Sequence, residues 1–197
     1  WFPNIRFIAE DLGYMTPEVK QLLQDSGLPG MKVLEFAFRP EDVHGLNEYL
    51  PHNYDPNCFV YTGTHDNMTV RQWFDTAPKA AVKYAREYMH ITPDEGDVWG
   101  TVRTAMASVS ELCIIPIQDW LGLDNNARMN QPSTLNSNWS WRMKEGAMTE
   151  KLKDEILTLT KRYGRANWDA LNALEKAEEK AYELCPGMDL EYVDETM

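Results

Sequence analysis

Glu10 stands just past the apolar run 5–9, Asp66 just past the run 58–63, and Asp119 just past the run 112–117. Carboxyls set where short apolar strands give way to loops can shuttle a proton and steady a developing positive charge. That is the chemistry of making and breaking glycosidic bonds. A retaining version also needs a carboxylate nucleophile about 5–5.5 Å from the proton shuttle, and the sequence offers no good candidate for it. Asp11 and Asp119 carry a second reading, as caps for the helix or turn that follows.

The elements that must hold these groups are legible as alternating strands and helices. Runs 5–9, 32–38, 58–63 and 112–117 are short, apolar on both faces and bounded by Gly, Pro or Asn, which suits parallel strands covered on both sides. After the first run, Thr16 is placed to cap a helix, Pro17 fits its first turn, Val19, Leu22 and Leu23 form its apolar face, and Gly27 ends it. Helical patterns cover 79–90 and 98–110, divided by the stretch 92–96. A polar loop at 119–143 precedes helices at 149–163 and 168–184, the second with a solvated face of Glu175, Glu178, Glu179 and Glu183 beside Lys176 and Lys180. Strands alternating with helices predict an α/β fold with a parallel sheet. A complete (β/α)8 barrel needs eight strands and usually about 250 residues, so four strands predict half a barrel. An independent doubly wound domain is the other reading, but no Gly-rich phosphate loop follows the first strand.

The 197 residues, 43% of them hydrophobic, are enough for one globular core. A net charge of -12 argues against a nucleic-acid partner and against binding to anionic membranes. Cys58, Cys113 and Cys185 show no metal-ligand spacing and leave one thiol over in any disulfide scheme. Reduced, buried thiols fit a cytoplasmic protein. No apolar run approaches a membrane span and no signal peptide opens the chain, which begins at Trp1.

An ordered set of motifs adds a more specific indication. These are IAEDLG at 8–13, TPEV at 16–19, GLPGMKVLEFAF at 27–38, HNY at 52–54, YTGTHDN at 61–67, PIQDWLGL at 116–123, ARMNQPST at 127–134 and NWSWR at 138–142. In this order they resemble the 4-α-glucanotransferases, also called amylomaltases or disproportionating enzymes, of glycoside hydrolase family 77 in the α-amylase superfamily. The resemblance implies strands 5–8 of a (β/α)8 TIM barrel with C-terminal helices, a single partial domain over 1–197 with barrel strands and loops at 1–143 and helices at 149–184. It implies Glu10 as general acid/base, protonated at one step and ionised at the next, so that a raised, environment-tuned pKa is expected. It implies Asp66 as transition-state stabiliser, with His65, Asn67 and Asn130 as substrate-binding residues. The family's nucleophile is an Asp in a DHFRG-type motif on the fourth strand. Nothing here matches it, and it is expected upstream of Trp1.

The sequence departs from the family at Arg39, where an acidic residue often follows FAF, at Met68, where Asp is common, and at Ser133, where Gly is common. The loop offers Asn125, Asn126, Arg128, Asn130, Asn136 and Asn138 to sugar hydroxyls. Trp120, Trp139 and Trp141 are either flat surfaces for sugar rings or packing, with packing the stronger reading for Trp139 and Trp141. Trp73 and Trp99 read as structural, and His52 and Tyr54 as braces. The expected function is part of a 4-α-glucanotransferase acting on α-1,4-glucans with retention, needing no cofactor and no metal, the isolated chain being inactive. Two alternatives stand beside it: a non-catalytic half-barrel module that only folds, self-associates or weakly binds glucan, and a piece of an α-glucan hydrolase. A half barrel exposes strand edges, for which the N-terminal part of the same enzyme or a second copy is the expected partner.

Overall fold

Three short strands pair in parallel in the computed structural model, which describes residues 5–42, 44–135 and 137–184, with side chains as far as 177. Strand β1 is Gly30–Val33, β2 is Cys58–Tyr61 and β3 is Leu112–Ile114, in the order β1-β2-β3. Gly30 lies opposite Cys58 and Val33 opposite Tyr61, while Phe59 lies opposite Leu112 and Tyr61 opposite Ile114. Helix α1 (Pro17–Ser26) precedes β1, and α2 (Val70–Thr76), α3 (Lys79–Tyr88) and α4 (Asp97–Ala107) form the crossover from β2 to β3. Short α5 (Ile117–Trp120) follows β3. The chain divides into two compact units, the first reaching Glu150 and the second beginning at Lys151. The second holds α7 (Trp168–Leu184) and nearly all of α6 (Glu150–Arg162), where Leu152 and Leu159 are buried and the Lys161 ammonium lies 5.9 Å from the Trp168 ring.

The core forms where the crossover helices meet the sheet. Val60 of β2, Leu34 and Phe38 after β1, Leu50, Ala85 of α3, Met89 just after it and Ala105 of α4 are all buried in one cluster. Phe38 meets Trp73 and Tyr84 edge-on at 5.9 Å, so Trp73 is a packing residue, as expected. Trp99 packs edge-on against Trp120 at 5.6 Å, both half-buried. Cys58 is buried in β2 and Cys113 half-buried in β3, whereas Cys185, Asn136 and the side chains of Glu178, Glu179, Lys180 and Glu183 lie outside the described residues. Among the described residues no helix is long and apolar enough to cross a membrane, and no group of His, Cys, Asp and Glu could hold a metal.

Several boundaries differ from the sequence reading. Run 5–9 is not a strand: its backbone bonds toward the sheet from Ala9 N to Pro29 O at 2.9 Å, Arg6 pairs with Glu111 beside β3, and Ile5 and Phe7 are left 52% and 56% exposed. The Met31 N–H of β1, which a ladder partner would need, is instead bound at 2.6 Å by the Asp11 carboxylate. Run 32–38 breaks after Val33 into a 3-10 turn at Leu34–Phe36. Run 112–117 stops at Ile114, because Pro116 has no N–H for a ladder and starts α5 instead. Helix α2 escaped the sequence reading. Its cap is Thr69, whose Oγ1 accepts from Gln72 N at 3.3 Å, but seven residues are too few to show a periodic apolar face.

Candidate active site

A cleft of about 1230 Å³ opens where β2 and β3 end, at Tyr61 and Ile114, and Glu10, His65, Asp66 and Asn67 all line it. Open α/β sheets place their sites at this carboxyl end of the strands, where the outgoing loops converge. Glu10 reaches the cleft because its two neighbours are tied down. Ala9 bonds to Pro29, and Asp11 bonds to Met31. Gly30 permits that approach, since a Cβ there would sit 2.5 Å from Asp11 Oδ2. Asp11 is therefore an anchor that presents Glu10, neither a catalytic group nor a helix cap.

The Thr64–Asn67 turn is closed by its own side chains. Asn67 Oδ1 accepts from Thr64 N at 2.9 Å and from Thr64 Oγ1 at 2.7 Å, while Asp66 N donates to Thr64 Oγ1 at 3.2 Å. One oxygen of Asn67 thus shapes the turn that carries His65 and Asp66. His65 Nε2 lies 3.3 Å from Asp66 Oδ1, and both side chains are about half exposed to the cleft.

The 128–130 segment holds this turn from the other side. Asn130 N donates to His65 O at 3.0 Å, and Asn130 Nδ2 donates to Asp66 Oδ1 at 2.6 Å. Asn130, expected at the substrate, donates to the Asp66 carboxylate and is not among the residues lining the cleft. Arg128 Nη2 donates to Asp66 O at 2.5 Å, and its Nε donates to Asn130 O at 2.8 Å. Trp139 departs from its packing expectation: it is 52% exposed, its ring centroid is 5.0 Å from that of His65, and its N donates to Met129 O at 2.6 Å. It reaches this position with φ at +62°, in the left-handed region that bulky residues avoid. Trp141 is half-buried.

Two further carboxyls lie beneath the turn. Asp119 is 2% exposed and accepts from Thr62 Oγ1 at 2.6 Å and from Val70 N at 2.9 Å. It therefore ties the end of β2 to the start of α2 and stays out of the cleft. Burial raises its pKa, while the bonds from Thr62 and Val70 pull it back. Glu35 follows Leu34, and its buried Oε1 takes no hydrogen bond from a described residue. That oxygen lies 3.1 Å from where a Gly63 Cβ would be, so Gly63 leaves room for it. Burial pushes the Glu35 carboxyl well above the usual range, the negative charge of Asp119 adds to this, and Arg128 opposes it. The sequence reading overlooked Glu35, although a lone carboxyl inside the apolar run 32–38 was the available signal.

His52 and Tyr54 brace the approach to β2 as expected. His52 ring nitrogens meet Tyr88 Oη at 2.8 Å and Gly45 O at 3.0 Å, and Tyr54 Oη donates to Tyr49 O at 2.9 Å. Arg39 lines the cleft, so the departure from the family pattern there falls on the open surface of the site.

Residues 2–149 match the family model described as 4-alpha-glucanotransferase. A 4-alpha-glucanotransferase of Clostridium butyricum is 49% identical over 163 residues, covering 82% of this chain and 33% of that protein. One from Streptococcus pneumoniae is 45% identical over 165 residues, covering 83% and 32%. The solved amylomaltase of Streptococcus agalactiae in complex with acarbose matches with a TM-score of 0.78 and 39% identity, over 81% of this chain and 32% of that one. The chain spans about a third of the length of these curated relatives.

Proposed function

The chain belongs to the 4-alpha-glucanotransferase family, and on that premise we propose that it supplies the proton-transfer and sugar-gripping side of an active site that moves segments of α-1,4-glucan between glucan chains. In this reading the parallel strands β1, β2 and β3 and the run 5–9 are the last four positions of a (β/α)8 barrel. The observation that carries the reading is the convergence of Glu10, His65 and Asp66 on one cleft at the carboxyl ends of the strands.

Glu10, exposed to the cleft, protonates the departing glucosyl oxygen as the C1–O bond breaks. An Asp nucleophile, on a strand not among these residues, takes the C1 position and holds the glycosyl group. Glu10, now ionised, then removes the proton from the 4-hydroxyl of an acceptor sugar, whose oxygen displaces the nucleophile. Asp66, oriented by Asn130, offers its carboxylate to the sugar and to the positive charge of the oxocarbenium-like transition state, with His65 beside it. Transfer outruns hydrolysis when the cleft positions an acceptor sugar in place of water. The complex of the Streptococcus agalactiae relative with acarbose fits a site built for such sugars.

Glu10→Gln in the full-length protein tests this. The amide keeps the shape and removes the proton shuttle, and disproportionation of maltotriose is expected to fall by at least about a hundredfold. A wild-type rate in the variant overturns the assignment.

A further inference from the structure

We propose that Arg128 is a positioning residue for glucan transfer, and that its guanidinium sets Asp66 by clamping two backbone carbonyls rather than by neutralising Glu35. The inference rests on the transferase reading above.

The geometry is that of a fork. Nη2 holds the carbonyl of Asp66 at 2.5 Å and Nε holds that of Asn130 at 2.8 Å, so one rigid plane joins the two segments that meet at the site. Fixing Asn130 in turn fixes its own bonds, from Nδ2 to Asp66 Oδ1 at 2.6 Å and from N to His65 O at 3.0 Å. The carboxylate of Asp66 and the backbone of His65 are thus referred to a single guanidinium that lies outside the lining of the main cleft. A lysine has the charge but not the planar pair of donors.

The competing account makes Arg128 the counter-ion of Glu35. Against it, the buried Oε1 of Glu35 takes no hydrogen bond from a described residue. Burial and the neighbouring Asp119 also favour the protonated, uncharged form of Glu35, which needs no counter-ion. Asp119 has its own donors in Thr62 and Val70 and does not call on the guanidinium.

The test uses the full-length protein and maltotriose, comparing Arg128→Lys, Arg128→Gln, Arg128→Met, Glu35→Gln and the double variant Arg128→Met with Glu35→Gln. All three single Arg128 variants are expected to lose about tenfold or more in kcat with KM changed less than about threefold, because a displaced Asp66 weakens transition-state contacts above all. Glu35→Gln alone is expected to keep the wild-type kcat and to leave the Met variant unrescued. Recovery of kcat by Lys, or by adding Glu35→Gln to Arg128→Met, overturns the proposal in favour of plain charge balance. Should the Met variant fail to fold, Lys and Gln carry the test; failure of all three to fold overturns the proposal, since Arg128 then holds the fold. An inactive wild type would be a failure of the transferase reading instead. In that case a crystal structure of the Arg128→Lys protein decides: the Asp66 Oδ1 to Asn130 Nδ2 contact is expected to be lost, and an unchanged contact overturns the proposal.

Discussion

Asp119 and Glu35 are carboxyls beneath the same turn, yet their surroundings ask different things of them. Asp119 accepts from the Thr62 hydroxyl and the Val70 N–H, and these donors favour its ionised form. Glu35 has a buried oxygen without such a donor, and its raised pKa follows from burial first and from Asp119 second. The consequence for stability has a definite sign. A carboxyl whose folded pKa lies above its unfolded value, about 4.3 for Glu, binds more protons in the folded state. It therefore weakens the fold progressively as pH rises from the unfolded value through the folded one. Glu35→Gln removes this ionisation while keeping size and shape. The variant is expected to melt at a higher temperature than wild type at pH 7–8, with the gain shrinking toward pH 4, as followed by circular dichroism of the full-length protein. A gain that did not change with pH would show that Glu35 is not the titrating group.

At the scale of elements, the legible parts of the chain are those in which one residue type has one local job. Thr16 caps α1 with Oγ1 accepting from Val19 N, Pro17 opens the helix, and Gly27 closes it at φ +65°, all as read from the sequence. The strands were legible as apolar runs, but their ends were not, because a ladder depends on partners in other segments. Met31 gives its N–H to Asp11, and Pro116 has none to give. In the site, residue types led to Glu10, His65 and Asp66. What each loop residue holds did not follow from type, which is why the bond from Asn130 to Asp66 and the exposure of Trp139 were not foreseen. The loop carrying them also shows backbone strain that the family pattern hints at. Ser133, where relatives commonly have Gly, has φ at +63°, and Ser137 and Trp139 are left-handed too. Ser133→Gly relieves a conformation costing an L residue about 1 kcal/mol. It is expected to raise the midpoint of thermal unfolding of the full-length protein by only about 1 °C, because a protein of its relatives' length, of which the matched 163 residues are 33%, unfolds with an entropy of about 1 kcal/mol/K, with kcat for maltotriose disproportionation unchanged. A lower midpoint would mean that the serine side chain is needed there.

At the scale of the whole molecule, the chain carries about a third of the length of its relatives, and its cleft is lined by Glu10, His65 and Asp66. Glu10 is presented by the anchored 9–11 segment, and Asp66, bonded by Asn130, by a turn that Asn67 closes from within. In the proposed mechanism these two carboxyls have complementary tasks and neither replaces the other. Asp66 has one oxygen engaged by Asn130 and His65 at its side, an arrangement suited to gripping a sugar and stabilising charge. A retaining displacement requires a separate nucleophile across the scissile bond from the acid/base, about 5–5.5 Å away, and no DHFRG-type motif occurs in the 197 residues. The purified 197-residue chain is therefore expected to leave maltotriose unchanged, and the full-length protein is expected to redistribute it into glucose and longer glucans. Chromatography of the products over time distinguishes the outcomes. Longer glucans made by the 197-residue chain alone would mean that a carboxyl within it serves as nucleophile. Free short sugars without longer glucans, made by the full-length protein, would make water the acceptor and the enzyme a hydrolase.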